Sequence, residues 1–137
     1  MRNTILGLAI VGLTASAAHA GGHAMKKKVM AADQNVSNGV VSASEVMTDV
    51  NGWLVVHRTD GVKPGPVVGH APLRAGKNVD VAAILTEPVQ PGEKLMLMIH
   101  GEAGGNQTGI FEYSLGAKED GPVRVDGKLV MQIVTAQ

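Results

Sequence analysis

The residues of this chain with usable chemistry are few, and most are histidines and methionines. In the run Leu95-Met96-Leu97-Met98-Ile99-His100, the two-residue period of a strand puts Leu95, Leu97 and Ile99 on one face and Met96, Met98 and His100 on the other. Two thioethers and an imidazole in one row are soft ligands of the kind that hold Cu(I). The run reads equally as a central strand buried on both faces, where five apolar side chains contribute roughly 8–15 kcal/mol of gross burial without any metal. His57 ends a second apolar run, Trp53-Leu54-Val55-Val56-His57, and shares a face with Trp53 and Val55. If these strands are neighbours whose ends meet, His57 and His100, joined by His70 from Gly69-His70-Ala71-Pro72, could converge on zinc or copper. The competing account is that histidines at strand ends simply hydrogen-bond loop backbone.

A separate candidate lies near the start of the chain. Met1-Arg2-Asn3-Thr4 is followed by the uncharged run Ile5 to Leu13 and by Ala18-His19-Ala20, the small-x-small form of a secretory cleavage site. Residues 1–20 are therefore expected to be a cleaved signal peptide, which predicts a periplasmic or secreted protein. The mature chain would begin Gly21-Gly22-His23, whose free amine, two amides and imidazole can wrap four nitrogens around Cu(II) or Ni(II) in a square plane. Met25 and Met30 could add soft contacts nearby.

Composition narrows the classes. The chain has no cysteine, which removes disulfides, zinc thiolate sites and the thiolate of a blue-copper centre. Twelve basic and twelve acidic residues give a formal charge of +0, without the basic footprint of a nucleic-acid binder. No apolar run has the roughly 20 residues a membrane-spanning helix needs. Catalytic groupings are poor: no serine sits in a glycine-flanked elbow, and Asp60, Glu102 and Glu112 lie at turns they can hold themselves. The loop Gly101 to Gly109 lacks the lysine of a phosphate loop and leads toward a strand. The expectation is a non-catalytic module that requires no cofactor, takes copper as an alternative, and engages an unknown protein or surface partner.

The elements that must position these residues read as strands. Residues 21–35 show no apolar period and are expected to be a flexible tail, ahead of one domain over 36–137. Asn51-Gly52 between Val40 to Val50 and Trp53 to Thr59 predicts a two-residue hairpin. Further strands are expected at Val67-Val68, Val79 to Leu85, Lys94 to His100, Ile110 to Ser114, with Phe111 and Tyr113 on one face, and Leu129 to Thr135. About seven short strands, joined by turns too short for helical crossovers, predict an all-β fold, an antiparallel β-sandwich.

The succession Gly52-Trp53-Leu54-Val55-Val56-His57, Val68-Gly69-His70-Ala71-Pro72-Leu73 with Ala75-Gly76, Gly92-Glu93-Lys94-Leu95 through His100, Gly109-Ile110-Phe111-Glu112 and Asp120-Gly121-Pro122-Val123 resembles a domain of unknown function. That domain occurs in secreted and cell-surface proteins and is best represented in halophilic archaea. The likeness runs from about residue 36 to 135 and implies an extracytoplasmic sandwich, Ig-like or cupredoxin-like in outline. His57 and His100 match its strand-end histidines. The resemblance implies no activity, and a shared fold does not supply one.

Overall fold

The computed structural model describes residues 25–114 and 117–137. Nine strands form: β1 (Lys28–Met30), β2 (Val40–Thr48), β3 (Gly52–Thr59), β4 (Pro64–Leu73), β5 (Gly76–Leu85), β6 (Lys94–Gly101), β7 (Arg124–Val125), β8 (Lys128–Leu129) and β9 (Met131–Thr135). There is no helix among the described residues, and so none long and apolar enough to cross a membrane. Seven strands make one antiparallel sheet in the order β1-β2-β5-β4-β3-β6-β9, while β7 and β8 form a small hairpin across Asp126-Gly127, both with positive φ.

The all-β, antiparallel expectation holds. The strands are hydrogen-bonded into a single sheet that curls until its ends meet, close to a barrel. Residues 33 and 34 tie the ends together. The Gln34 backbone bridges Ala136, its amide side chain pairs with the backbone of Ser42 at 2.8 Å, and the Asp33 carboxylate accepts the Thr135 N–H at 2.7 Å. These bonds cover part of the backbone edge of β9, which could otherwise pair with other chains. The stretch expected to be a flexible tail thus contains both β1 and the closing residues. Among its described residues Val29 is buried and Ala31 packs partly against the core, too little to register as a sequence period.

The hairpin expected at Asn51-Gly52 is absent. β2 pairs with β1 and β5, β3 pairs with β4 and β6, and the link between β2 and β3 crosses from one half of the sheet to the other, as in a Greek key. Neither residue has a positive φ. The glycine instead permits close approach, since a Cβ at Gly52 would land on the carbonyl oxygen of His100. Asn51 Oδ1 accepts the Ala75 N–H at 2.9 Å, and its carbonyl accepts the Glu102 N–H at 3.0 Å.

The interior is aliphatic. Val41, Ala43 and Val46 from β2, Leu54 and Val56 from β3, Val68 from β4, Ala83 from β5, and Leu95, Leu97 and Ile99 from β6 have no exposed surface. Their neighbours on the opposite face of β3 and β6 are Trp53, Val55, His57, Met96, Met98 and His100. All six are buried too, yet none belongs to the interior cluster beyond contact through the sheet. On that side Phe111 packs against Trp53 and His100, Tyr113 against His57 and His100, and the Asp120 carbonyl meets the His100 ring.

Candidate functional site

β3 and β6 lie side by side with Trp53 opposite His100, Val55 opposite Met98 and His57 opposite Met96. The two histidines therefore share the outer face but stand at opposite ends of a three-rung ladder, with Val55 and Met98 as the middle rung. Their side chains lean toward each other over that rung. His57 Nε2 and His100 Nε2 come within 3.4 Å, and the ring centroids are 5.5 Å apart, so the rings meet nearly end-on rather than stacked.

Local sequence sets each ring. Opposite His57, β4 carries register irregularities between Val56 and His57 and again between His57 and Thr59. The first falls at Val68 and the second at Pro64-Gly65-Pro66, where proline cannot donate to the ladder and a bulge is the usual outcome. The bend brings the Gly65 carbonyl to His57 Nδ1 at 2.8 Å. At the other end, the chain after β6 returns so that Pro122 bridges His100, and the Asp120 carbonyl reaches His100 Nδ1 at 2.7 Å. Asp120 holds this return with φ +46°, and its buried carboxylate accepts the N–H groups of Ala103 at 3.1 Å and Glu112 at 2.8 Å.

The roof is aromatic. Tyr113 stands edge-on to His100 at 4.4 Å between centroids and to His57 at 5.9 Å, while Phe111 lies 6.4 Å from His100 and 5.6 Å from Trp53. Both histidines have no exposed surface. Burial pushes His57 below its ordinary value, partly opposed by the Gly65 carbonyl. Burial likewise pushes His100 down to about 4, with the Asp120 carbonyl opposing and the neighbouring His57 adding to the fall. At neutral pH both rings are therefore uncharged.

A proton count defines the site. A carbonyl can only accept, so Nδ1 of each ring must carry hydrogen, and a neutral imidazole has one N–H. Both Nε2 lone pairs then face each other across 3.4 Å with no hydrogen between them. Three short contacts in a row, carbonyl to His57, His57 to His100 and His100 to carbonyl, need three protons where two neutral rings supply two. Turning either tautomer moves the clash onto a carbonyl without removing it. Buried polar atoms left this way cost about 1–3 kcal/mol each. Either a third proton shared by the two Nε2 atoms or a cation between them removes the clash.

The sequence-derived residues divide clearly. His57, His100, Met96 and Met98 come together on one buried face. His70 is on that face beside Val55, but it is exposed; its ring stacks on Phe111 at 4.3 Å and meets Trp53 edge-on at 5.6 Å, and burial of part of the ring pushes it below its ordinary value. The expected convergence of three histidines is thus reduced to two, and no group of three His, Cys, Asp or Glu able to hold a metal occurs among the described residues. Gly21, Gly22 and His23 lie outside the described residues. The carboxylates at turns act on backbone: Asp60 caps Val62 and Lys63, Glu102 accepts from Gly109, and Glu112 accepts from Asn106 and Gln107.

Sequence reasoning missed the Gly65 and Asp120 carbonyls and the roofing role of Phe111 and Tyr113. Their alternate spacing did put the two aromatics on one side, but the expected strand at Ile110 to Ser114 does not form, because no neighbouring strand offers it a ladder. The indole N–H of Trp53 is buried without an acceptor among the described residues.

Fold and site together define a small all-β domain with a sealed imidazole pair on the outside of its sheet. The chain belongs to the family described as Domain of unknown function (DUF7282), whose model matches residues 27–137. No curated protein and no solved structure matches it.

Proposed function

We propose that this domain is a non-catalytic ion-binding module working outside the cytoplasm, which holds one transition-metal ion between His57 and His100. The observation that carries the reading is the proton-deficient chain of contacts, with two Nε2 lone pairs 3.4 Å apart and each Nδ1 fixed on a backbone carbonyl. An imidazole whose second nitrogen is tied to a carbonyl is the usual form of a metal-ligating histidine, because that bond fixes the tautomer and aims the lone pair. The site is read as storing or carrying an ion because Tyr113 and Phe111 roof it and neither ring has exposed surface, which leaves a substrate no approach. Placement outside the cytoplasm rests on the charged start, apolar run and Ala18-His19-Ala20 of the leader.

The test is equilibrium dialysis of the full chain carrying His23→Ala, which silences the Gly21-Gly22-His23 chelate, against Zn(II), Co(II) and Ag(I) in turn. The reading expects one equivalent of at least one ion to be retained and to raise the melting temperature, with both effects lost in His57→Gln and in His100→Gln. Retention of none of the three ions, or retention indifferent to both substitutions, overturns it.

A further inference from the structure

Resting on that reading, we infer that the ion is monovalent copper, bound by His57 Nε2, His100 Nε2 and the Met98 thioether, with Met96 in reserve beside His57. Bond geometry narrows the choice first. With metal–nitrogen bonds of about 2.0–2.1 Å, two ligands lie about 2.9 Å apart when cis in a square plane, about 4.1 Å in a linear pair, about 3.3 Å in a tetrahedron and about 3.6 Å in a trigonal plane. The 3.4 Å separation falls between the last two. Square-planar Cu(II) and Ni(II) fit badly, and ions with filled d shells and three or four ligands fit well.

Ligand type then separates Cu(I) from Zn(II). Zinc sites draw at least three ligands from histidine, carboxylate and thiolate. This face offers two imidazoles and then only sulfur in thioether form. Met98 occupies the rung between the histidines, and Met96 is the direct cross-strand partner of His57. Both are buried, at 1% and 0% exposure, on the face away from the aliphatic interior, where leucine would fill the same volume at less risk of oxidation. Thioethers select Cu(I) over harder dications.

Charge points the same way. The desolvation cost of a buried ion grows with the square of its charge, so a dication in a neutral ligand set is heavily penalised. Asp120 is the one buried carboxylate among the described residues, and it sits on the same return as the carbonyl that holds His100. A single negative charge balances a monovalent cation.

The experiment is an anaerobic competition for Cu(I) between the full chain carrying His23→Ala and the chromophoric chelator bicinchoninate, run alongside Zn(II) binding. Met98→Leu is the variant, because it preserves volume and keeps both histidines. One equivalent of Cu(I) held against the chelator, weakened at least tenfold by Met98→Leu, with copper X-ray absorption showing a sulfur neighbour that the variant loses, is the expected result. Zn(II) held in preference to Cu(I) overturns the copper assignment, and Cu(I) affinity unmoved by Met98→Leu overturns the thioether ligand, while either result leaves an ion at the histidine pair. Failure to hold either ion overturns both.

Discussion

The two faces of β3 and β6 are equally dry and chemically opposite. Inside, Leu54, Val56, Leu95, Leu97 and Ile99 pack among aliphatic neighbours. Outside, Trp53, Val55, His57, Met96, Met98 and His100 are just as buried, but beneath a segment with almost no regular structure. The interior is a continuous core whose favourable term is burial at roughly 25 cal/mol per Å². The outer face holds polar and soft atoms that make a poor core, under a loop pinned by Glu102, Glu112 and Asp120 accepting backbone N–H groups. Burial of aliphatic groups accounts for the inner face and not for the outer one.

The contrast can be broken first at its stable side. Leu97→Ala should lower unfolding free energy by about 2–5 kcal/mol in a urea melt, because a filled, closed interior relaxes little around a cavity. Met98→Leu, one residue away on the other face, should cost under about 1.5 kcal/mol in the ion-free protein. Equal losses at the two positions would erase the distinction.

Acid should strike the outer face selectively. The folded values of His57 and His100 lie below the ordinary 6.5, so the unfolded chain binds protons more readily and stability falls as pH drops. The contribution is whole above about pH 6.5 and is lost down to about 4, where His100 titrates in the folded state. The gap for His100 alone corresponds to about 3 kcal/mol. Denaturant melts from pH 7 to pH 4 should show this slope in the ion-free protein and a flatter one in His100→Gln.

Gly52→Ala should cost about 2–3 kcal/mol, since the added methyl meets the His100 backbone and neither strand can retreat without disturbing its ladder. The smallest effect on stability is expected at the roof. Tyr113→Ala should remove about 1–2 kcal/mol yet speed ion exchange several-fold in stopped-flow measurements, since the edge-on ring over both histidines is gone. A slower exchange in that variant would mean the loop does not govern access.

How much of this was legible in the sequence follows from the range of each signal. The two-residue period sorted Leu95, Leu97 and Ile99 from Met96, Met98 and His100 correctly, because alternation is a property of the strand itself. It also gave His57 its face. Pairing is not local, and there the reading failed: Asn51-Gly52 has the chemistry of a hairpin turn, but a glycine needed for close approach to His100 looks the same in one dimension. The lead-in was undervalued for a similar reason, since Asp33 and Gln34 act through single side chains on Thr135 and Ser42, roughly 100 and 8 residues away. The deficit of one proton at the histidines depends on two backbone carbonyls, Gly65 and Asp120, and a carbonyl carries no mark in any sequence. His70 lies in a strand rather than in a loop reaching the pair, and its ring contacts are Phe111 and Trp53, the first placed by a segment that no periodicity describes.

Two bare Nε2 atoms facing each other are the central feature of the site, and the most direct measurement of them is the tautomeric state of His57 and His100 from long-range proton–nitrogen NMR correlations of the ion-free protein at neutral pH. Hydrogen on Nδ1 and none on Nε2 in both rings, with the two Nε2 resonances moving together when one equivalent of Ag(I) is added, is the result predicted. A hydrogen on either Nε2, undisturbed by the ion, would contradict it.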